Sequence, residues 1–228
     1  MLKMRWEDLL FLHWAVAPEI IRPHLPQSLE LDTYDGQAWL GVVPFTMAST
    51  RFRCLPPMPT AHRFPECNLR TYVRCGDHAG VWFFSLDAGS RLAVEGARLG
   101  FGLPYFAADM QSVRVGDQVK HRSRRRDRRG PPAEFEASWS PVGEWREADP
   151  ATLEHFLVER YSLFSLRRGR LLRGDVTHPR WQLSEARAEV TACDMTRLLG
   201  LHLNGEPALV LAARPLEVHA LRPYSVII

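Results

Sequence analysis

The sequence predicts a predominantly β fold of the α+β class, a mixed barrel or curled sheet with a few helices. Three observations carry this. Apolar and polar residues alternate in many short runs, as in EFEASW. Turn dipeptides, Asp35-Gly36 and Gly116-Asp117, join such runs into hairpins. Helical periodicity is convincing at only a few places, and the βαβ rhythm of a parallel sheet is missing. No internal repeat and no linker divides the chain, so residues 1–228 are expected to form a single domain.

Residues 9–16, LLFLHWAV, read as a buried strand or a short helical segment. Pro18 starts a short helix that Pro23 and Pro26 limit. LELDTYDGQAWLGVVPF reads as a hairpin, and Pro44 marks an end, bulge or edge in its second strand. A proline-rich loop, 51–63, leads to FPECNLRTYVRC and VWFFSLDA, a second hairpin across GDHAG. SRLAVEGARL predicts a helix over 90–99, capped by Ser90 and stopped near Gly100 and Pro104. MQSVRV and QVKHRS form the next hairpin, residues 122–132 a basic connection, and EFEASW a strand. A second helix is expected over 150–161, with Asp149 as cap and Pro150 in the first turn. The remainder reads as strands between polar turns.

Composition is that of an ordinary globular chain of 228 residues, with 46% hydrophobic residues and 24% charged. The net charge of +3 says little about partners. Cysteines 54, 67, 75 and 193 form no CxxC pair, which suits buried thiols in a reducing compartment. LLFLHWAVAP is too short to span a bilayer, so a soluble cytoplasmic protein without membrane partners is expected.

The segment 64–75 carries the leading site. Alternation puts Cys67, Leu69, Thr71, Val73 and Cys75 on one face and Glu66, Asn68, Arg70, Tyr72 and Arg74 on the other. The second face either lines a polar cavity or is solvated with cross-strand salt bridges. In a cavity, Arg70 holds a carboxylate, Glu66 moves a proton, and Tyr72 donates to a developing oxyanion. The turn GFGLPYF, 100–106, is the second candidate, because it can place Tyr105 at the mouth of a sheet. Its plainer reading is a packing turn with aromatic anchors. The histidines are scattered and no HExxH occurs, so neither a metal nor another cofactor is expected. His13 reads as a satisfied buried histidine, and His178, in THPRW, as part of a structural turn. No GxSxG elbow supports a serine hydrolase. HRSRRRDRRG, 121–130, reads as a solvated connection; no recognition helix or stacking motif accompanies it, so no specific nucleic-acid partner is expected.

The order HW, PE, LELDTYDG, VPF, FPECNLRTYVR, VWFFSLD and GLPY resembles the YqjF-like bacterial family of uncharacterised proteins with the DUF2071 domain, over nearly the whole chain. That resemblance implies the acetoacetate decarboxylase-like fold, a cone-shaped β-barrel with peripheral helices and an internal cavity. It implies that Glu66 and the polar residues after it face the cavity, with Glu66 similar to the acidic strand residue of those enzymes. Acetoacetate decarboxylases follow a Gly-x-Pro turn with a Schiff-base lysine. Here Gly102-Leu103-Pro104 is followed by Tyr105, and a phenol forms no iminium. Lys3 and Lys120 match nothing in that motif.

Three functional readings stay open. One is an enzyme acting on a small organic acid or carbonyl compound without Schiff-base chemistry, with Glu66 and Tyr105 catalytic and Asn68, Arg70, Tyr72 and Arg74 binding the ligand. Another is a protein that binds or senses such a molecule unchanged. The third is an interaction or assembly protein acting through loops 51–63 and 121–132. A homodimer is compatible with each.

Overall fold

A computed structural model describes residues 1–52, 61–203 and 205–226. Loop residues 53–60, and so most of the proline-rich loop 51–63, lie outside the described residues. The strands are β1 (Leu2–Glu7), β2 (Leu9–Val16), β3 (Glu30–Leu31), β4 (Ala38–Phe52), β5 (Arg63–Cys75), β6 (His78–Ala88), β7 (Tyr105–Val115), β8 (Gln118–Arg125), β9 (Glu134–Pro141), β10 (Ser162–Arg167), β11 (Arg170–Thr177), β12 (Leu183–Cys193), β13 (Leu209–Ala213), β14 (Leu216–Ala220) and β15 (Tyr224–Ser225). The α-helices are α1 (Pro18–Ile21), α2 (Arg91–Phe101) and α3 (Leu153–Val158).

The α+β, mostly-strand expectation holds, but the barrel does not. All strands join one 15-stranded sheet in the order β1-β14-β11-β10-β6-β7-β8-β9-β12-β13-β2-β4-β5-β3, with β15 beside β11 and additional pairings β1–β4 and β5–β6. A barrel gives each strand one neighbour on either side and leaves no edge. Here β4 pairs with β1, β2 and β5, and β6 pairs with β5, β7 and β10, so the sheet branches and folds back on itself. Strand length is the physical reason. β4 has 15 residues, enough to take β2 along Ala38–Val42 and β1 along Thr46–Phe52. β6 likewise takes β10 at Val81–Trp82 and β7 at Leu86–Ala88.

This places β2, β4 and β5 between two apolar clusters. Phe11, Phe45, Phe64 and Tyr72 join one; Leu10, Leu12, Val42, Cys67, Leu69 and Val73 join the other. Burial on both faces explains why LLFLHWAV reads as a continuous apolar run.

Several local expectations hold with shifts, but the hairpin expected over LELDTYDGQAWLGVVPF does not form. Asp35 (φ 49°) and Gly36 (φ 75°) make the left-handed turn, closed by a Tyr34–Gln37 bridge. The strand before it, β3, pairs with β5 rather than β4. Ser90 caps α2 by accepting from the Ala93 N–H, but the helix runs on to Phe101 and stops at Gly102 (φ 66°) rather than Gly100. α3 starts later than expected, because Thr152, not Asp149, accepts from the His155 N–H. The basic connection begins only after Arg125, since residues 118–125 are strand β8.

Candidate functional site

β5 and β6 build one wall of a cavity of about 160 Å³. Leu69 lies opposite Ser85 and Arg70 opposite Phe83, so Phe84 is an extra residue in β6. The bulge changes the parity of β6: Val81 and Phe83 line the cavity before it and Leu86 after it. Most of the lining is apolar, including Trp6, Phe11, Phe45, Phe101 and Trp181. Polar groups are Glu66, Asn68, Arg70, Tyr105, Arg160, Ser162 and His178.

Glu66 is 1% exposed. Tyr105, carried by the GLPY turn at the start of β7, donates its hydroxyl to the Glu66 carboxyl, at 3.2 Å from Oε1 and 3.1 Å from Oε2. Burial pushes Glu66 up to about 8, against the pull of the Tyr105 hydrogen bond and with a smaller push from Asp87. Burial and the Glu66 charge hold the Tyr105 phenol well above its ordinary value. The pair is therefore neutral over most of the physiological range.

Arg70 is half-buried on the same wall. Its Nη2 donates to the Leu157 carbonyl (3.1 Å) and the Tyr72 hydroxyl (3.3 Å). Its Nε is buried without a partner among the described residues, and so is Asn68 Oδ1. Tyr72 shares a 2.6 Å hydrogen bond with His13 Nε2. Burial and the Arg70 charge hold His13 well below the usual histidine value, so it stays neutral. Gly41 permits this approach: a Cβ there would lie 3.1 Å from His13 Nε2 and 3.3 Å from Arg70 Cγ.

The structure thus brings Glu66, Asn68, Arg70 and Tyr105 to the cavity wall. Tyr72 is on the same side of the sheet but does not line the cavity; it is fully buried, as the link from Arg70 to His13. Arg74 does not join them; it lies near the end of β5, paired in register with Glu30 and Ala79. Besides Ser162, two polar lining residues escape the sequence reading. Arg160, after α3, donates to Asp32 at 2.6 Å and stacks on Phe156. His178 lies against Tyr161, Trp181 and Trp6 and shares a 2.7 Å hydrogen bond between Nδ1 and the Pro179 carbonyl. THPRW carried a signal for the second, an aromatic and a histidine fixed by proline. Arg160 has none, because its place depends on where α3 stops.

The arginine-rich segment is largely engaged internally. Arg124, Arg126 and Arg129 pair with Glu134, Asp109 and Glu95, and Arg125 is buried against Asp87 at 2.7 Å. Among the described residues no group of three or more His, Cys, Asp or Glu side chains is arranged to hold a metal ion. No helix there is long and apolar enough to cross a membrane.

Several solved structures share this fold. An acetoacetate decarboxylase-like enzyme from Sphingomonas wittichii RW1 superposes with a TM-score of 0.68 at 15% identity, covering 99% of this chain and 92% of that one. The enduracididine biosynthesis enzyme MppR, complexed with pyruvate, gives 0.67 at 12% identity, covering 98% and 89%. At such identities the likeness is one of fold alone. In sequence, the uncharacterized protein YqjF of Bacillus subtilis (strain 168) is 42% identical over 217 residues, 95% of this chain and 89% of that protein. The DUF2071 family, described as an uncharacterized conserved protein, matches residues 3–217, and the chain belongs to that family.

Proposed function

We propose that the cavity binds a small organic acid or carbonyl compound and that Glu66 and Tyr105 handle a proton at its polar end. The observation that carries this is a carboxyl held near neutrality by burial, hydrogen-bonded to a phenol, on an otherwise apolar wall beside a guanidinium. Near pH 7 the protonated Glu66 donates to a ligand carbonyl oxygen, and its ionised fraction accepts a proton. Tyr105, its one hydroxyl proton given to the carboxyl, fixes Glu66 for that transfer. Arg70 and Asn68 orient the acid group. Schiff-base chemistry has no amine to use: Lys3 pairs with Glu217 at 2.7 Å, and neither lysine lines the cavity. The acetoacetate decarboxylase-like neighbours and the pyruvate held by MppR support an acid ligand by analogy of fold.

A thermal-shift panel of carboxylates, their keto forms and neutral analogues, run on wild type and Arg70→Ala, tests this. Anionic ligands should lose about tenfold or more in affinity in Arg70→Ala, the scale of a charged hydrogen bond, while neutral analogues lose far less. Equal losses would remove Arg70 from acid recognition. Incubation of a hit followed by product analysis then separates turnover from static binding.

A further inference from the structure

Resting on that reading, we infer that the ligand is a monoanion with an apolar body, a single carboxylate on a short branched chain or single ring. The charges around the cavity are the first argument. Arg160 already has the Asp32 carboxylate at 2.6 Å. The Glu66 carboxyl is neutral at pH 7, because burial holds it near 8. Burial also lowers His178, which leaves that ring neutral. Arg70 remains. It is a permanent cation, and no carboxylate among the described residues pairs with it. Its hydrogen bonds go to a carbonyl and a phenol, which carry no counter-charge. A partly buried cation beside an apolar space favours one anionic guest. A second carboxylate would lose its water against aromatic walls with no cation left to meet it.

The walls are the second argument. Away from Glu66, Asn68 and Arg70 the cavity is bounded largely by aromatic and aliphatic side chains, Trp6, Phe11, Phe45, Phe101, Leu163 and Trp181 among them. Its volume, about 160 Å³, is close to that of the ~150 Å³ apolar cavities that hold a benzene ring. A ligand gains about fourfold in affinity for each methylene it buries there, until the space is full. A pyruvate-sized acid satisfies Arg70 but leaves the aromatic end without contacts.

Calorimetric titration of the wild-type protein with four probes tests this: pyruvate, 4-methyl-2-oxopentanoate, 2-oxoglutarate and the neutral ketone 4-methyl-2-pentanone. The branched monoanion should bind about tenfold or more tighter than each of the others. Pyruvate or 2-oxoglutarate binding as tightly would overturn this inference while leaving acid binding intact. A ketone equal to the acid would overturn this inference and remove the carboxylate from recognition while leaving carbonyl binding; no binding by any probe would sink both. Ala97→Leu, which narrows the cavity from α2, should cost the branched acid about tenfold and leave pyruvate within about twofold. An unchanged branched acid would place it elsewhere and overturn the inference.

Discussion

Two buried acids sit on adjacent strands of one hairpin, and they are built for different ends. Glu66 on β5 and Asp87 on β6 are both about 1% exposed, and Asp87 lies opposite Cys67, the residue after Glu66. They face opposite sides of the sheet. Asp87 receives Arg125 through Nε at 3.0 Å and Nη2 at 2.7 Å, and Arg125 also lies 4.2 Å from the Phe106 ring centroid. Glu66 receives one phenol and no cation. Burial raises both. Beside Asp87 the guanidinium pulls the other way and supplies a permanent counter-charge. Beside Glu66 the Tyr105 hydrogen bond also pulls down but brings no counter-charge, and the carboxyl titrates at about 8. Burial alone does not single out a candidate functional acid; burial without a cation, at a cavity, does.

Breaking the Asp87 side should have the largest effect. Asp87→Asn leaves Arg125 buried and uncompensated, which costs roughly 3–5 kcal/mol. Denaturant unfolding should show this as a lower midpoint. The paired change Asp87→Leu with Arg125→Met should restore much of the loss, because no charge is then stranded. A loss under about 1 kcal/mol for Asp87→Asn would mean that the pair is not structural.

How far this contrast could be read from sequence depends on distance along the chain. Period-2 alternation in FPECNLRTYVRC sorts Glu66, Asn68 and Arg70 from Cys67 and Leu69, and the structure keeps that sorting. Alternation gives a side, not an extent. Tyr72 and Arg74 have the right parity, but Tyr72 is absorbed by His13 and Arg74 lies beyond the cavity. The bulge at Phe84 shifts FFSLD by one residue with no local sign. The Asp87–Arg125 pair spans 38 positions, so Arg125 reads as one more residue of a solvated basic run. The barrel expectation fails for a similar reason: which strand joins the second half of β4 is a long-range choice.

The Glu66 side is broken next, through pH. The folded carboxyl titrates near 8 and the unfolded one near its ordinary 4.5. Between those values the folded chain holds a proton that the unfolded chain has released, so stability falls as pH rises through that window. At about 1.4 kcal/mol per pH unit the full loss is on the order of 3–5 kcal/mol, with the last part above pH 7. Glu66→Gln should match wild type below about pH 4.5 and exceed it by roughly 3–5 kcal/mol at pH 9. The buried histidines act on the acid side: His121, lowered to about 3, and His13 disfavour folding as pH falls below their ordinary 6.5. Both are present in each protein, so they cancel in the difference. Parallel stability curves for the two proteins would mean that Glu66 does not titrate as proposed.

The smallest change tests the link between the two site residues. Tyr105→Phe keeps the ring in its packing and removes only the hydroxyl, so stability should fall by about 1 kcal/mol or less where Glu66 is neutral. The sharper readout is Glu66 itself. The Tyr105 hydrogen bond lowers the carboxyl against burial, so without it the titration should move above 8. A carbon-13 titration of the Glu66 carboxyl in both proteins would follow this. An upward move makes the phenol the group that sets Glu66 for proton transfer near neutral pH. An unmoved titration would leave burial as the sole cause, and Tyr105 would then be a wall of the cavity rather than a partner in its chemistry.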